Sequence, residues 1–229
     1  NNSSVTVGVS GATGGGAISA TVQAQTGATL TNLLGDVTGA ITVAAGGASI
    51  TADGQLSSTI TTIGGDIVAR VTGTISSSTL TANNGAIDLA TLASISSAVT
   101  ANADTTLTAW AGLSISGTLT ADGNVSLVSQ TQNVAGTVTS NTGNVSISAL
   151  TTVSATVQAQ LDASVYALDG ISGSITTTAG DATVVALDGP ISGPVNAGDS
   201  LLAFAMTNIS GGLSAASNAE VMAFGNLNA

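Results

Sequence analysis

The chain has 229 residues, of which 43% are hydrophobic but only 2% aromatic and 6% charged. Twelve acidic residues face a single basic one, Arg70, with no Lys or His, for a formal charge of -11; nucleic acid is excluded as a partner and an anionic membrane surface disfavoured, because both are held by clustered Lys and Arg. Val, Ile and Leu recurring every few residues exclude disorder, the lack of Cys excludes a disulfide framework or thiolate metal site, and no apolar run approaches the roughly 18 residues of a transmembrane segment.

In chain order, Asn1-Asn2-Ser3-Ser4 opens without Met, as expected of a processed protein or a piece of a longer one, and a first strand-like run follows at Val5-Thr-Val7-Gly-Val9. From Ile18 onward one string recurs: aliphatic, Ser/Thr, small, any, aliphatic, Thr/Ser. It reads Ile18-Ser-Ala-Thr-Val22, Val37-Thr-Gly-Ala-Ile41, Leu56-Ser-Ser-Thr-Ile60 and, with one residue inserted, Ile75-Ser-Ser-Ser-Thr-Leu80. It continues through strings headed by Ile95, Ile115, Val134, Val153, Ile171, Ile191 and Ile209. Ten steps carry the anchor from Ile18 to Ile209, about 19 residues each.

Each string alternates with period two, which makes it a strand with an aliphatic face and a Ser/Thr face. The middle inward position is always small, for example Gly39, Ser58, Ser97, Gly117, Gly136, Gly173 and Gly193, which predicts a narrow interior. A second strand precedes each string, as in Val145-Ser-Ile147-Ser-Ala149 and Val184-Val-Ala186-Leu187. Turn-formers separate the units: Asp53-Gly54, Asn83-Asn84-Gly85, Asp122-Gly123, Asn141-Thr-Gly143, Gly180-Asp181 and Gly198-Asp199. The expected fold is all-β, a parallel, right-handed β-helix or β-solenoid of about 12 turns with about 19 residues per turn, some 55–60 Å long, forming one repeat array over 1–229. No turn could stand alone, because its backbone groups and half of its burial are completed by the turns above and below.

The near-constant 19-residue unit, with its Ile-Ser-Gly-x-Val-Thr and Ala-Gly-Asp strings, resembles the β-helical shaft of filamentous haemagglutinin-type adhesins and related large bacterial surface proteins, from about Val5 to about Asn218. The resemblance implies export to the cell surface or exterior and a role as shaft material. Neither the secretion domain that begins such adhesins nor a receptor-binding domain is recognisable.

Catalysis is not expected: without His, Cys or Lys, general bases reduce to carboxylates, Arg70 stands alone, and Trp110, Tyr166, Phe204 and Phe224 are scattered over different turns. Two constellations are candidate sites. Aligning the turns puts Asp162, Asp181 and Asp199 in one column at the start of successive units, with Asp169 and Asp188 in another, where like charges about 5 Å apart would be relieved by a hard cation such as Ca²⁺. The same aspartates also suit turns through local backbone hydrogen bonding. The outward pairs Thr59/Thr61, Thr79/Thr81, Thr118/Thr120 and Thr137/Thr139 form a Thr-x-Thr face, interrupted by Ala40 and Ala98, that resembles the ranks of ice-binding solenoids; Thr also simply suits exposed strand positions.

Strand-like sequence reaches both ends, closing with Val221-Met-Ala-Phe224, and no polar cap is evident. The expected function is therefore a stiff segment or subunit of an extracellular or cell-surface fibre or adhesin, paired end to end with copies of itself or flanking solenoid, with host or abiotic surfaces as further partners. The alternative is a binding module that uses the Thr/Ser face for ice or a surface glycan.

Overall fold

A computed structural model describes residues 3–9, 16–76 and 79–229. The fold is a parallel β-solenoid of about eleven turns with about 19 residues per turn. The preceding strands form a twelve-stranded parallel sheet running from Ser4–Val9 through Gly27–Asn32, Ala48–Ala52 and so on to Ala219–Ala223. The recurrent strings form an eleven-stranded sheet from Ile18–Ala24 to Leu213–Ala215. Every pairing between successive turns is parallel, because the chain always re-enters each sheet in the same direction after one circuit.

The anchors stack as the period requires. Ile115 bridges to Val134, Val134 to Val153, and the column continues through Ile171, Ile191 and Ile209, all at most 1% exposed. A second column, Val22, Ile41, Ile60, Leu80, Val99, Leu119, Val138, Val157, Ile175 and Val195, lies four or five residues further on and is equally buried. Leu30, Ile50, Leu89, Leu127, Ile147, Val165 and Val184 face them from the other sheet, so the core is a continuous aliphatic column along the axis. The residue inserted in the Ile75–Leu80 string falls at Ser77-Ser78, outside the described residues.

Ser58 and Ser97, buried in mid-strand, donate to the Val37 and Ile75 carbonyls at 3.3 Å; the other buried polar side chains sit at strand ends and bond at the corners. Ser129 Oγ donates to the Gln132 carbonyl at 2.9 Å, Thr177 Oγ1 to Gly180 at 2.6 Å, and Asn32 Nδ2 to Gly16 and Asp36, each at 2.8 Å. A hydroxyl three residues ahead of a turn carbonyl thus closes the corner without leaving a buried donor unpaired.

The small middle position needs a correction. Ser58, Ser97, Gly173 and Gly193 are buried as expected, and a Cβ on Gly193 would lie 1.9 Å from the Gly173 carbonyl oxygen of the turn before. Gly39 and Gly136, however, are exposed, and Gly117 is half-buried. The φ is 110° at Gly39, 119° at Gly117 and 91° at Gly136, so the backbone itself bends within the string and glycine is required by conformation as well as by the close approach of the turn before.

Candidate functional site

The threonine face exists, and its register is more regular on one column than the sequence pairs indicated. Thr42, Thr61, Thr81, Thr100, Thr120 and Thr139 succeed one another without interruption on the outer side of the eleven-stranded sheet, followed by Gln158 and Thr176. Thr42 and Thr100 belong to this rank in addition to the pairs that the repeat string itself displays. The second column is broken as foreseen: Thr59 stacks on Ala40, and Ala98 precedes Thr118, Thr137 and Thr156. Thr79, one residue before Leu80, accepts the Ile60 N–H through its carbonyl at 2.9 Å and so keeps its strand in register with the one holding Thr59. Hydroxyls therefore repeat about every 4.8 Å along the axis and about 6.8 Å across it.

The aspartate column is arranged differently. Asp162 and Asp181 are in register, but Ser200, not Asp199, occupies the next place, because Ala182 aligns with Leu201. The two register steps are equal, 19 residues each, but the Ala-Gly-Asp strings ending at Asp181 and Asp199 are only 18 apart, so aligning the turns by those strings slips Asp199 into the wrong row. The side chains form a ladder of their own. Asn124 Oδ1 accepts the N–H of Asn144 at 2.8 Å, Asn144 Oδ1 that of Asp162, Asp162 Oδ1 that of Asp181, and Asp181 Oδ1 that of Ser200, each at 2.9 Å. Each Asx oxygen thus carries the inter-turn hydrogen bonding across a corner. Asp169 and Asp188 border one cavity of about 330 Å³. Among the described residues no group of three or more His, Cys, Asp or Glu side chains is placed to hold a metal ion.

The ladder yields a test. Asp181→Ala is expected to cost about 0.5–1.5 kcal/mol through the lost bond to Ser200, whereas Asp181→Asn, which keeps the acceptor, is expected to melt within a degree or two of the parent. Melting curves with millimolar calcium or a chelator check the cation reading separately: a calcium-dependent rise that Asp181→Asn removes supports it, and identical curves leave hydrogen bonding as the role of the column.

The aromatic residues lie on different turns, as read from the sequence, but on one face. The outward column of the twelve-stranded sheet runs Thr51, Arg70, Ala90, Trp110, Val128, Ser148, Tyr166, Val185, Phe204, Met222. Two residues on from its later members, at the corner, come Leu150, Leu168, Leu187, Met206 and Phe224, and the Phe204 and Phe224 rings meet edge to face with centroids 6.0 Å apart. All four aromatic residues of the chain therefore lie on one side of the solenoid. Its later turns carry an apolar stripe in which Met206 is 50% and Phe224 69% exposed. Spacing along the chain could not reveal this, since members of one column are 18 to 20 residues apart and only the register of successive turns brings them together.

Among the described residues no helix is long and apolar enough to cross a membrane. Compared with protein-family models, with curated proteins and with solved structures, the chain has no match.

Proposed function

We propose that this chain is a stiff shaft segment of a secreted or cell-surface fibre of the filamentous haemagglutinin type, joined end to end to further solenoid or to another copy, with a structural and not a catalytic role. The observation that carries the reading is the edge strand Ala219–Ala223. The Leu201 N–H donates to the Asn218 carbonyl at 2.8 Å and the Phe224 N–H to the Ala205 carbonyl at 3.1 Å. By the alternation of a parallel ladder, the N–H and C=O groups of Ala219, Val221 and Ala223 then point away from the fold. Inside that edge, Leu213, Ala215, Val221 and Ala223 are only partly buried, so the aliphatic column is open at this face. An open ladder above an uncovered core is a template for another turn, and the apolar stripe reaches the same end through Met222 and Phe224.

Sedimentation velocity and electron microscopy across a wide concentration range test the reading. Concentration-dependent rods that lengthen by whole units are expected; a monodisperse monomer at every concentration, with an end face protected from amide exchange, overturns it.

The uninterrupted rank of six threonines favours a second reading, a binding face for ice or another ordered surface. Thr100→Lys, in the middle of that rank, is expected to leave the melting temperature nearly unchanged and to abolish inhibition of ice recrystallisation. Lack of inhibition by the unmodified chain removes this reading.

A further inference from the structure

We propose that the groove around Arg70 and Trp110, on the outer side of the twelve-stranded sheet, binds a neutral saccharide. The chain holds one basic residue and one Trp, and the register brings both to the same concavity, of about 460 Å³, a volume in the range of ordinary small-ligand sites. Ala90 separates them in the outward column, so Arg70 and Trp110 stand two strands, or about 9.6 Å, apart over a methyl floor. Leu33 and Leu92, 52% and 62% exposed, flank the groove along the corner, with Asp53 and Thr72 also lining it.

The polar equipment selects the ligand class. Arg70 Nη1 donates to the Asp88 carbonyl at 3.1 Å and Nη2 to the Asp88 carboxylate, so the one cation is matched in charge before any ligand arrives. On a chain of net charge -11 that site offers an anion no attraction. Asp88 holds the guanidinium from outside the groove's lining, so Arg70 presents oriented donors, with Asp53 and Thr72 of the lining as acceptors, which suits adjacent hydroxyl groups that both give and accept hydrogen bonds. The indole and the two leucines provide an apolar wall for the C–H face of a sugar ring. A ligand that is flat, uncharged and rich in hydroxyls meets all three conditions. A planar aromatic compound would use the wall but none of the polar groups around it; a free cation would meet the guanidinium.

Trp110 is the only indole, so its emission reports this groove alone. The intact chain is titrated with neutral oligosaccharides built on glucose, galactose, mannose and N-acetylglucosamine, up to about 10 mM, the range in which a shallow site is occupied. At least one is expected to give a saturable change in Trp110 emission with matching heat of binding, insensitive to salt between about 0.05 and 0.5 M. Arg70→Met and Asp88→Asn are each expected to weaken binding about tenfold, and Trp110→Leu, read by calorimetry, to abolish it, with melting curves showing that each variant remains folded. Silence toward the whole panel overturns the proposal. So does binding that survives both Arg70→Met and Trp110→Leu, or a response confined to indole or choline as aromatic and cationic probes.

Discussion

Ile115→Asp is expected to end cooperative folding of the central turns. Ile115 is fully buried, bridged to Val134 and in register with Ile95. A carboxylate in that column would have aliphatic neighbours above and below and no cation within reach, and an uncompensated buried charge costs several kcal/mol. Because each turn is stabilised mainly by the turns it touches, the defect should divide the array instead of unfolding it evenly. Thermal unfolding should change from one transition to two or to a broad one, with amide protection lost first around Leu107–Ala121. Ile115→Ala, which leaves a cavity but no charge, is expected to cost about 2–5 kcal/mol and to lower the melting temperature by roughly 5–15 °C. Thr118→Asp, three residues along the same strand but on the exposed side, should stay within about 0.5 kcal/mol of the parent. Equal tolerance of Asp at positions 115 and 118 would contradict the stacking of the anchors.

Val221→Pro is expected to abolish end-to-end association while leaving the melting temperature almost unchanged. The N–H of Val221 belongs to the open side of the edge strand, so a proline there removes no bond that the solenoid itself makes and deletes a donor that an added turn would need. Val221→Ala keeps that donor and trims the exposed core, so it should weaken association only partly. Sedimentation at matched concentrations separates the three chains. A proline in a corner is no innocent control here: the Gly123 N–H donates to the Thr105 carbonyl at 2.9 Å, and a Cβ on Gly123 would lie 2.7 Å from the Asp104 carbonyl oxygen. Gly123→Pro should therefore destabilise the fold itself, a cost that its place in a turn string does not disclose. Unimpaired association of the Val221→Pro chain would move the contact away from this edge and toward the apolar stripe.

Much of the architecture was legible in the residues alone, for a definite reason. Alternation along a strand and the recurrence of Ile, Val or Leu about every 19 residues are local, repeated many times over, and tolerant of a slipped residue, since an aliphatic anchor that finds the core is correctly placed whatever its corner does. The strands, the stacked column through Ile115, Val134 and Val153, the turn strings and the outward threonines follow from that pattern. Sites are less forgiving. Asp181 meets Ser200 and not Asp199 because the register steps by 19 residues there while the Ala-Gly-Asp string recurs after 18, and likeness of turn strings does not fix which residue of a corner meets which.

What the chain by itself determined, then, is which side chains face inward and that the unit repeats, because burial and strand periodicity act within a few residues. Tertiary structure alone decided what stands next to what across the turns. The left-handed φ of Gly117, inside the strand Ile115–Ala121, depends on how that strand meets the turn before, where a Cβ would lie 2.3 Å from the Ser97 carbonyl oxygen. The alignment of Tyr166 and Phe204 on one face, and the meeting of the only Arg with the only Trp over Ala90, depend on inter-turn register, which is set by the accumulated lengths of the corners and the hydrogen bonds that lock each one.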